Sequence, residues 1–299
     1  MDEVIFLSIA SYRDPDLINT VKSAYENAKN KESLFFSVFS QAENEEHPDL
    51  SFIPESQIRY SKTHWSESKG ACWARSRSTN NLKEKYFLQI DSHSRFKKNW
   101  DELIINNYKN AQKFWGDRII LTSYPDPFEL NDDKTDRLVD YSSLKKLNAF
   151  WHEESKMIQA DPNWGDVSDT INGDEIFFLS ANCYFSLVEI VKELPYDELL
   201  YFTGEEPSLA IRAYTRGIRL ISPVVKFMYT NYNRPNSNRK LHWEDHDEWW
   251  TINQESYKRL SLIMKGDQSL GEYGIKSPLL FEQYQKIVGI NLLEKDYNI

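Results

Sequence analysis

Cysteine is nearly missing from this chain. Cys72 and Cys183 are the two in 299 residues, too few for a disulfide framework and too far apart in sequence for a zinc knuckle. No apolar run reaches membrane-spanning length. The opening Met1-Asp-Glu-Val-Ile-Phe runs straight into a strand pattern, without the basic flank of a signal peptide. Positive charge is in deficit: 36 Lys and Arg against 46 Asp and Glu leave a net charge of −10. That balance argues against non-specific binding to nucleic acid or to an anionic membrane surface. A phosphate-bearing ligand stays compatible where a metal or local Arg and Lys neutralise it. Internal repeats and low-complexity linkers are absent as well. The expectation is a soluble, cytoplasmic protein. Aromatic residues, in contrast, are abundant at 14%, with nine Trp and seventeen Tyr. Such a surplus suits recognition of carbohydrate or nucleobase faces, and it equally suits a large core.

Strand and helix patterns alternate along the first half. Val4–Ala10, Leu34–Ser40, Ile58–Tyr60, Tyr86–Ile90 and Arg118–Thr122 read as strands. Asp16–Lys29, Gly70–Asn80 and Trp100–Phe114 read as helices, the first with Leu17, Val21, Ala24 and Ala28 on one face. This alternation implies an α/β fold with a mixed, mostly parallel sheet covered on both faces, whose ligands bind beyond the carboxyl ends of the strands. Tyr124–Lys145, with two prolines and many Asp, reads as a surface excursion. Asn148–Met157 and Glu175–Leu179 are expected strands, Leu187–Val191 and Glu206–Thr215 expected helices, and Asn231–Lys240 a polar loop. The simplest division is a catalytic domain over 1–247 with a helical extension over 248–299.

The most informative segment is Tyr86-Phe-Leu-Gln-Ile90 followed by Asp91-Ser92-His93. In an extended segment residues two apart project to the same side. One anionic oxygen and one imidazole nitrogen at a strand end suit two adjacent positions on a divalent cation, manganese better than calcium. Ser11-Tyr12-Arg13 after the first strand reads either as a capped turn or as a stacking ring plus a phosphate-binding cation. In Gly70-Ala-Cys-Trp-Ala-Arg75 a small-residue helix start favours anions, and Arg75 is either a bidentate donor or a surface side chain. Gly204-Glu205-Glu206 at a helix start serves either the helix dipole or a sugar. His242 and His246 are the remaining clustered histidines, His242 the better candidate to complete a metal shell with Asp91 and His93.

Taken in order, Ile9-Ala-Ser-Tyr-Arg-Asp-Pro15, Gly70-x-Cys-Trp-Ala-Arg75, Tyr86-Phe-Leu-Gln-Ile-Asp-Ser-His93, Arg95-Phe, Trp100-Asp101, Pro195-Tyr-Asp197 and Gly204-Glu-Glu206 resemble one family. It is the family of glycosyltransferases typified by the cytoplasmic enzyme that adds N-acetylglucosamine to hydroxyproline of a ubiquitin-ligase adaptor. The similarity spans roughly residues 4–245, with an echo at Gly274–Tyr284. The resemblance implies a GT-A fold, a UDP-sugar donor (UDP-GlcNAc in those relatives), dependence on Mn2+ or Mg2+, and retention at the anomeric carbon. It assigns Asp91 and His93 to the metal, Ser11, Tyr12 and Arg13 to the nucleotide, Arg75 and Asp91 to the diphosphate region, and Gly204, Glu205 and Glu206 to the donor sugar and acceptor. The family pattern carries His where this chain has Thr230, so the third metal ligand passes to His242, or to water and the diphosphate.

The expected reaction is therefore metal-dependent transfer of a sugar to a hydroxyl of a glycan or a protein, with a cytoplasmic role in polysaccharide biosynthesis slightly preferred. Two other classes stand beside it. A metal-dependent phosphoesterase also uses Asp and His at strand ends, although it usually needs more ligands than this chain clusters. A non-catalytic module that binds sugar nucleotides is the other, and Thr230 is its best support.

Overall fold

The computed structural model describes residues 3–43, 48–131, 133, 135–161, 165–233 and 238–297. The elements of the first half are β1 (Ile5–Tyr12), α1 (Leu17–Asn27), β2 (Leu34–Ala42), β3 (Ile58–His64), α2 (Ala71–Ser78), β4 (Tyr86–Asp91), β5 (Ser94–Phe96), α3 (Trp100–Trp115) and β6 (Ile119–Thr122). There follow β7 (Asp126–Leu130), β8 (Asp136–Leu138), β9 (Ala149–His152), β10 (Met157–Ala160), β11 (Glu175–Ile176), β12 (Cys183–Leu187), α4 (Val188–Lys192) and α5 (Glu205–Thr215). The chain closes with β13 (Arg219–Ile221), β14 (Met228–Thr230), α6 (His242–Asp245), α7 (Trp249–Met264) and α8 (Pro278–Val288).

Among the described residues the main sheet has eight strands in the order β11-β13-β6-β12-β4-β1-β2-β3. Pairing is parallel through β4, β1, β2 and β3, while β12 runs antiparallel to both β4 and β6. Side-chain alternation along β1 sends Ile5, Leu7 and Ile9 to one face and Phe6 to the other. The first face buries Leu17, Val21 and Ala24 of α1 and Ile104, Tyr108 and Ala111 of α3. The second buries Leu209 and Ile211 of α5 together with Leu260 and Ile263 of α7 and Phe281 and Tyr284 of α8. The C-terminal helices thus share a core with the sheet rather than forming one of their own.

Three sequence expectations are corrected. The 124–145 excursion contains β7 and β8, which join β5 and β14 in a small sheet ordered β5-β14-β7-β8. Pro125 and Pro127 had masked it, because proline is scarce inside sheets. Asn148–Met157 is not one strand but the start of a hairpin, β9 pairing antiparallel with β10. The stretch that becomes β12 had no expected element, since it passes into α4 at Leu187 without a Gly or Pro to mark the junction.

Candidate functional site

The parallel register Ala10↔Asp91 brings the carboxyl ends of β1 and β4 side by side. Asp14, just beyond β1, then faces Ser92 and His93, just beyond β4. The Ser92 hydroxyl donates to Asp14 Oδ2 at 2.6 Å, and His93 Nδ1 lies 2.8 Å from the same oxygen. The hydrogen-bond network therefore assigns the Nδ1 proton of His93 to Asp14. The other ring nitrogen, Nε2, points to Asp91 Oδ2 at 3.5 Å. Burial alone would push His93 down the pH scale, but hydrogen bonds to Asp14 and Asp91 raise it above the ordinary imidazole value. Burial would raise Asp91, yet its bond to His93 and the Arg75 charge hold it well below the usual carboxylate range.

Arg75 links this pair to α5. Its Nη2 donates to Asp91 Oδ1 at 2.6 Å and its Nη1 to Glu205 Oε1. The Arg75 side chain is 9% exposed and that of Glu205 5%, so the guanidinium is spent neutralising two carboxylates inside the protein. Glu206, one residue on, accepts from the Ala181 N–H at 2.9 Å through Oε1 and from the Tyr124 hydroxyl at 2.8 Å through Oε2. Burial pushes its carboxyl up to about 7.

These groups line one cavity of 690 Å³, with Tyr12, Asp14, Asn182, Tyr201, the start of α2 at Gly70 and Ala71, and β10 also in its wall. Arg239 and Lys240 add cations to it, and the Arg239 charge helps depress Asp91. Sequence reasoning missed Asp14, Tyr124, Arg239 and Lys240. Adjacent cations at the end of the polar loop were the available signal for the last two. Residues 234–237 of that loop, Arg234 included, lie outside the described residues.

The nucleotide candidates divide. Tyr12 lines the cavity, its hydroxyl donating to Asp245 Oδ2 at 3.0 Å. Ser11 is buried and not part of the wall. Arg13, with φ of +44°, turns away from the wall to pair with Asp245 at 2.9 Å and to lie over the Trp65 ring at 4.9 Å. His242 is in the wall, but both ring nitrogens are engaged: Nε2 donates to the Ser68 carbonyl at 3.1 Å and Nδ1 accepts from the Tyr201 hydroxyl at 2.8 Å. Burial pulls its ring down to about 4. Among the described residues no group of three or more His, Cys, Asp or Glu gathers as a metal site, so Asp91 and His93 come together and His242 does not join them. Thr230 adjoins His93: its hydroxyl donates to the His93 carbonyl at 3.3 Å.

Helix α7 sets the position of the two glutamates from behind. Gly204 has φ of +107°, and a Cβ there would stand 2.6 Å from Cδ2 of Leu260. The loop before it is pinned by Tyr201 N–H donating to Ser256 Oγ at 2.9 Å and Arg259 Nε donating to Asp197 at 2.5 Å. Gly204→Ala is therefore expected to lower stability by about 1–3 kcal/mol and to weaken activity, through both backbone strain and collision with α7. A denaturant melt matching wild type would refute this account.

The chain matches the family model described as "Glycosyltransferase (GlcNAc)" over residues 4–53 and 49–279. Among solved structures, GalNAc-T7, crystallised with UDP, GalNAc and Mn2+, is similar with TM-score 0.56 and 14% identity, across 96% of this chain and 55% of that one. S. aureus TarS 1-349 with UDP-GlcNAc is similar with TM-score 0.52 and 11% identity, across 95% of this chain and 70% of that one. At such identities the likeness is one of fold, and the chain spans about half the length of the GalNAc-T7 chain. No curated protein matches by sequence. Among the described residues no helix is long and apolar enough to cross a membrane.

Proposed function

From the premise that the chain belongs to the GlcNAc glycosyltransferase family, we propose that it transfers a sugar, N-acetylglucosamine first among the choices, from a UDP donor to an acceptor hydroxyl, with retention. The observation that carries this reading is the convergence of Asp91 Oδ2 and His93 Nε2, 3.5 Å apart, on the 690 Å³ cavity. The donor set fits a divalent cation: an ionised carboxylate oxygen, and an imidazole nitrogen whose partner nitrogen is fixed by a second carboxylate, as metal-binding histidines commonly are. Asp91 and His93 would hold Mn2+ or Mg2+, which when bound supplies charge stabilisation to the departing diphosphate.

The rest is the work of the chain's own residues. Arg239 and Lys240 sit where they favour the negative donor, and Tyr12 offers a ring face in the same wall. Arg75, in the same cavity wall, keeps Asp91 ionised and Glu205 in place. Glu206 faces the cavity with lone pairs left beyond its two hydrogen bonds, suited to orienting a donor or acceptor hydroxyl. In the transfer the bond from the anomeric carbon to the diphosphate oxygen breaks and one to the acceptor oxygen forms. The hydroxyl proton leaves with UDP, so no strong protein base is needed. The acceptor is a glycan or a protein hydroxyl such as hydroxyproline.

A thermal-shift screen tests the donor. UDP-GlcNAc with manganese is expected to raise Tm more than either alone, by mass action on the native state. Absence of any shift with all common UDP-sugars would end the reading.

Glu206 makes a separate pH prediction. Its folded value is raised from 4.5 to about 7, so the native state holds a proton that the unfolded chain has lost. The stability this confers is full below about pH 4.5 and is lost as pH rises through about 7, by at most about 3 kcal/mol. Glu206→Gln should remove that slope in urea titrations between about pH 5 and pH 8. An unchanged slope would show that Glu206 is not the group responsible.

A further inference from the structure

We propose that a second cavity, separated from the first by Tyr124, is the acceptor subsite and takes a hexopyranose ring. This rests on the transferase reading above. The cavity measures 290 Å³, and its walls include Pro125, Asp126, Tyr141, Lys226 and Tyr232. Two bridges join it to the first. Tyr124 lines both cavities, and its hydroxyl holds Glu206 at 2.8 Å. The Tyr232 hydroxyl donates to the Pro125 carbonyl at 3.0 Å and accepts from Asn182 at 3.4 Å, and Asn182 belongs to the first cavity.

Tyr141 and Tyr232 are 54% and 50% exposed. Single exposed aromatic residues are ordinary, but Tyr141 is held on purpose-built supports. Its N–H donates to Asp126 Oδ2 at 3.1 Å, and its carbonyl accepts from Lys226 Nζ. Lys226 and Asp126 pair at 2.5 Å with side chains 18% and 10% exposed. A mostly buried ion pair therefore grips the backbone on both sides of one exposed ring.

A pyranose has an apolar C–H face and a rim of hydroxyls, so it needs an aromatic plane beside fixed donors and acceptors. Tyr141 and Tyr232 supply planes, and Asp126, Lys226 and the tyrosine hydroxyls supply polar partners. The volume lies just under the lower end of about 300 Å³ for drug-sized ligands, which favours a single ring over an extended peptide. A ring seated here would lie against Tyr124, whose hydroxyl holds Glu206 in the donor cavity.

The test is saturation-transfer NMR with methyl glycosides of glucose, galactose, N-acetylglucosamine and N-acetylgalactosamine, with and without UDP and MgCl2. At least one glycoside is expected to bind the wild-type protein. Tyr141→Ala and Tyr232→Ala should each weaken it about threefold to tenfold, while Tyr232→Phe, which keeps the ring, should retain binding. Thermal melts establish that the variants are folded, and UDP affinity should be the same in all of them. The proposal is overturned if no glycoside binds, if the Ala variants bind as well as wild type, or if a hydroxyproline peptide and no sugar shows the tyrosine dependence. Tyrosine-dependent sugar binding without any UDP binding would instead overturn the transferase reading and leave a sugar site standing.

Discussion

Asp91→Asn is expected to reduce sugar transfer by about 100- to 1000-fold, the range seen when one preorganised electrostatic contact is removed, while circular dichroism stays native. The substitution keeps the shape of the side chain and removes its charge. That charge is stabilised by three groups: His93, Arg75 and Arg239. The second oxygen of the same carboxylate points toward His93 Nε2. Asp14→Asn should be milder, because Asp14 holds His93 without facing the same point. A drop of about 10- to 100-fold in manganese affinity is the expectation for such a support. Transfer assays across a manganese titration separate the two variants: added metal should restore Asp14→Asn and not Asp91→Asn. Wild-type turnover that survives EDTA would remove the metal from the mechanism altogether.

Arg75→Leu is expected to have the largest effect on stability, about 3–5 kcal/mol, as is usual when one partner of a buried ion pair is taken away. The guanidinium lies between Asp91 and Glu205, and without it the Glu205 carboxylate, 5% exposed, has lost its cation. Lowering the pH should shrink the deficit, because Asp91, held below the usual carboxylate range partly by the Arg75 charge, contributes stability that wild type loses as Asp91 is protonated. Arg75→Leu with Glu205→Leu should recover part of the loss, since an apolar pair of similar volume replaces an orphaned charge. Urea midpoints at two pH values measure both effects. A single variant as stable as wild type at neutral pH would mean that Arg75 is not the neutralising group described.

Local patterns were legible and distant pairings were not. The helix with Leu17, Val21, Ala24 and Ala28 on one face lies over the sheet as its spacing foretold, all four side chains buried. Asp91 and His93 do come together, but across a bend at Ser92-His93 that ends β4 rather than along an extended strand. The short β7, β8 and β12 eluded the pattern because proline obscured the first, the second is three exposed residues, and no Gly or Pro separated the third from α4. His242 read as the candidate third metal ligand, and the fold closes it between Tyr201 and Ser68. The family motifs pointed to Arg75, and only the fold reveals that its hydrogen bonds to Asp91 and Glu205 hold it in the cavity wall.

By itself, then, the sequence determined the alternating α/β frame, the pairing of Asp91 with His93 and the family to which the chain belongs. Each of these depends on a short window of residues or on their linear order. Tertiary structure decided that Asp14 orients His93 from 79 positions away and that Arg75 reaches Glu205 across 130. It also decided that Leu260 backs Gly204. Such partners are chosen by strand order and helix docking, which bring together residues whose separation along the chain carries no periodic signal.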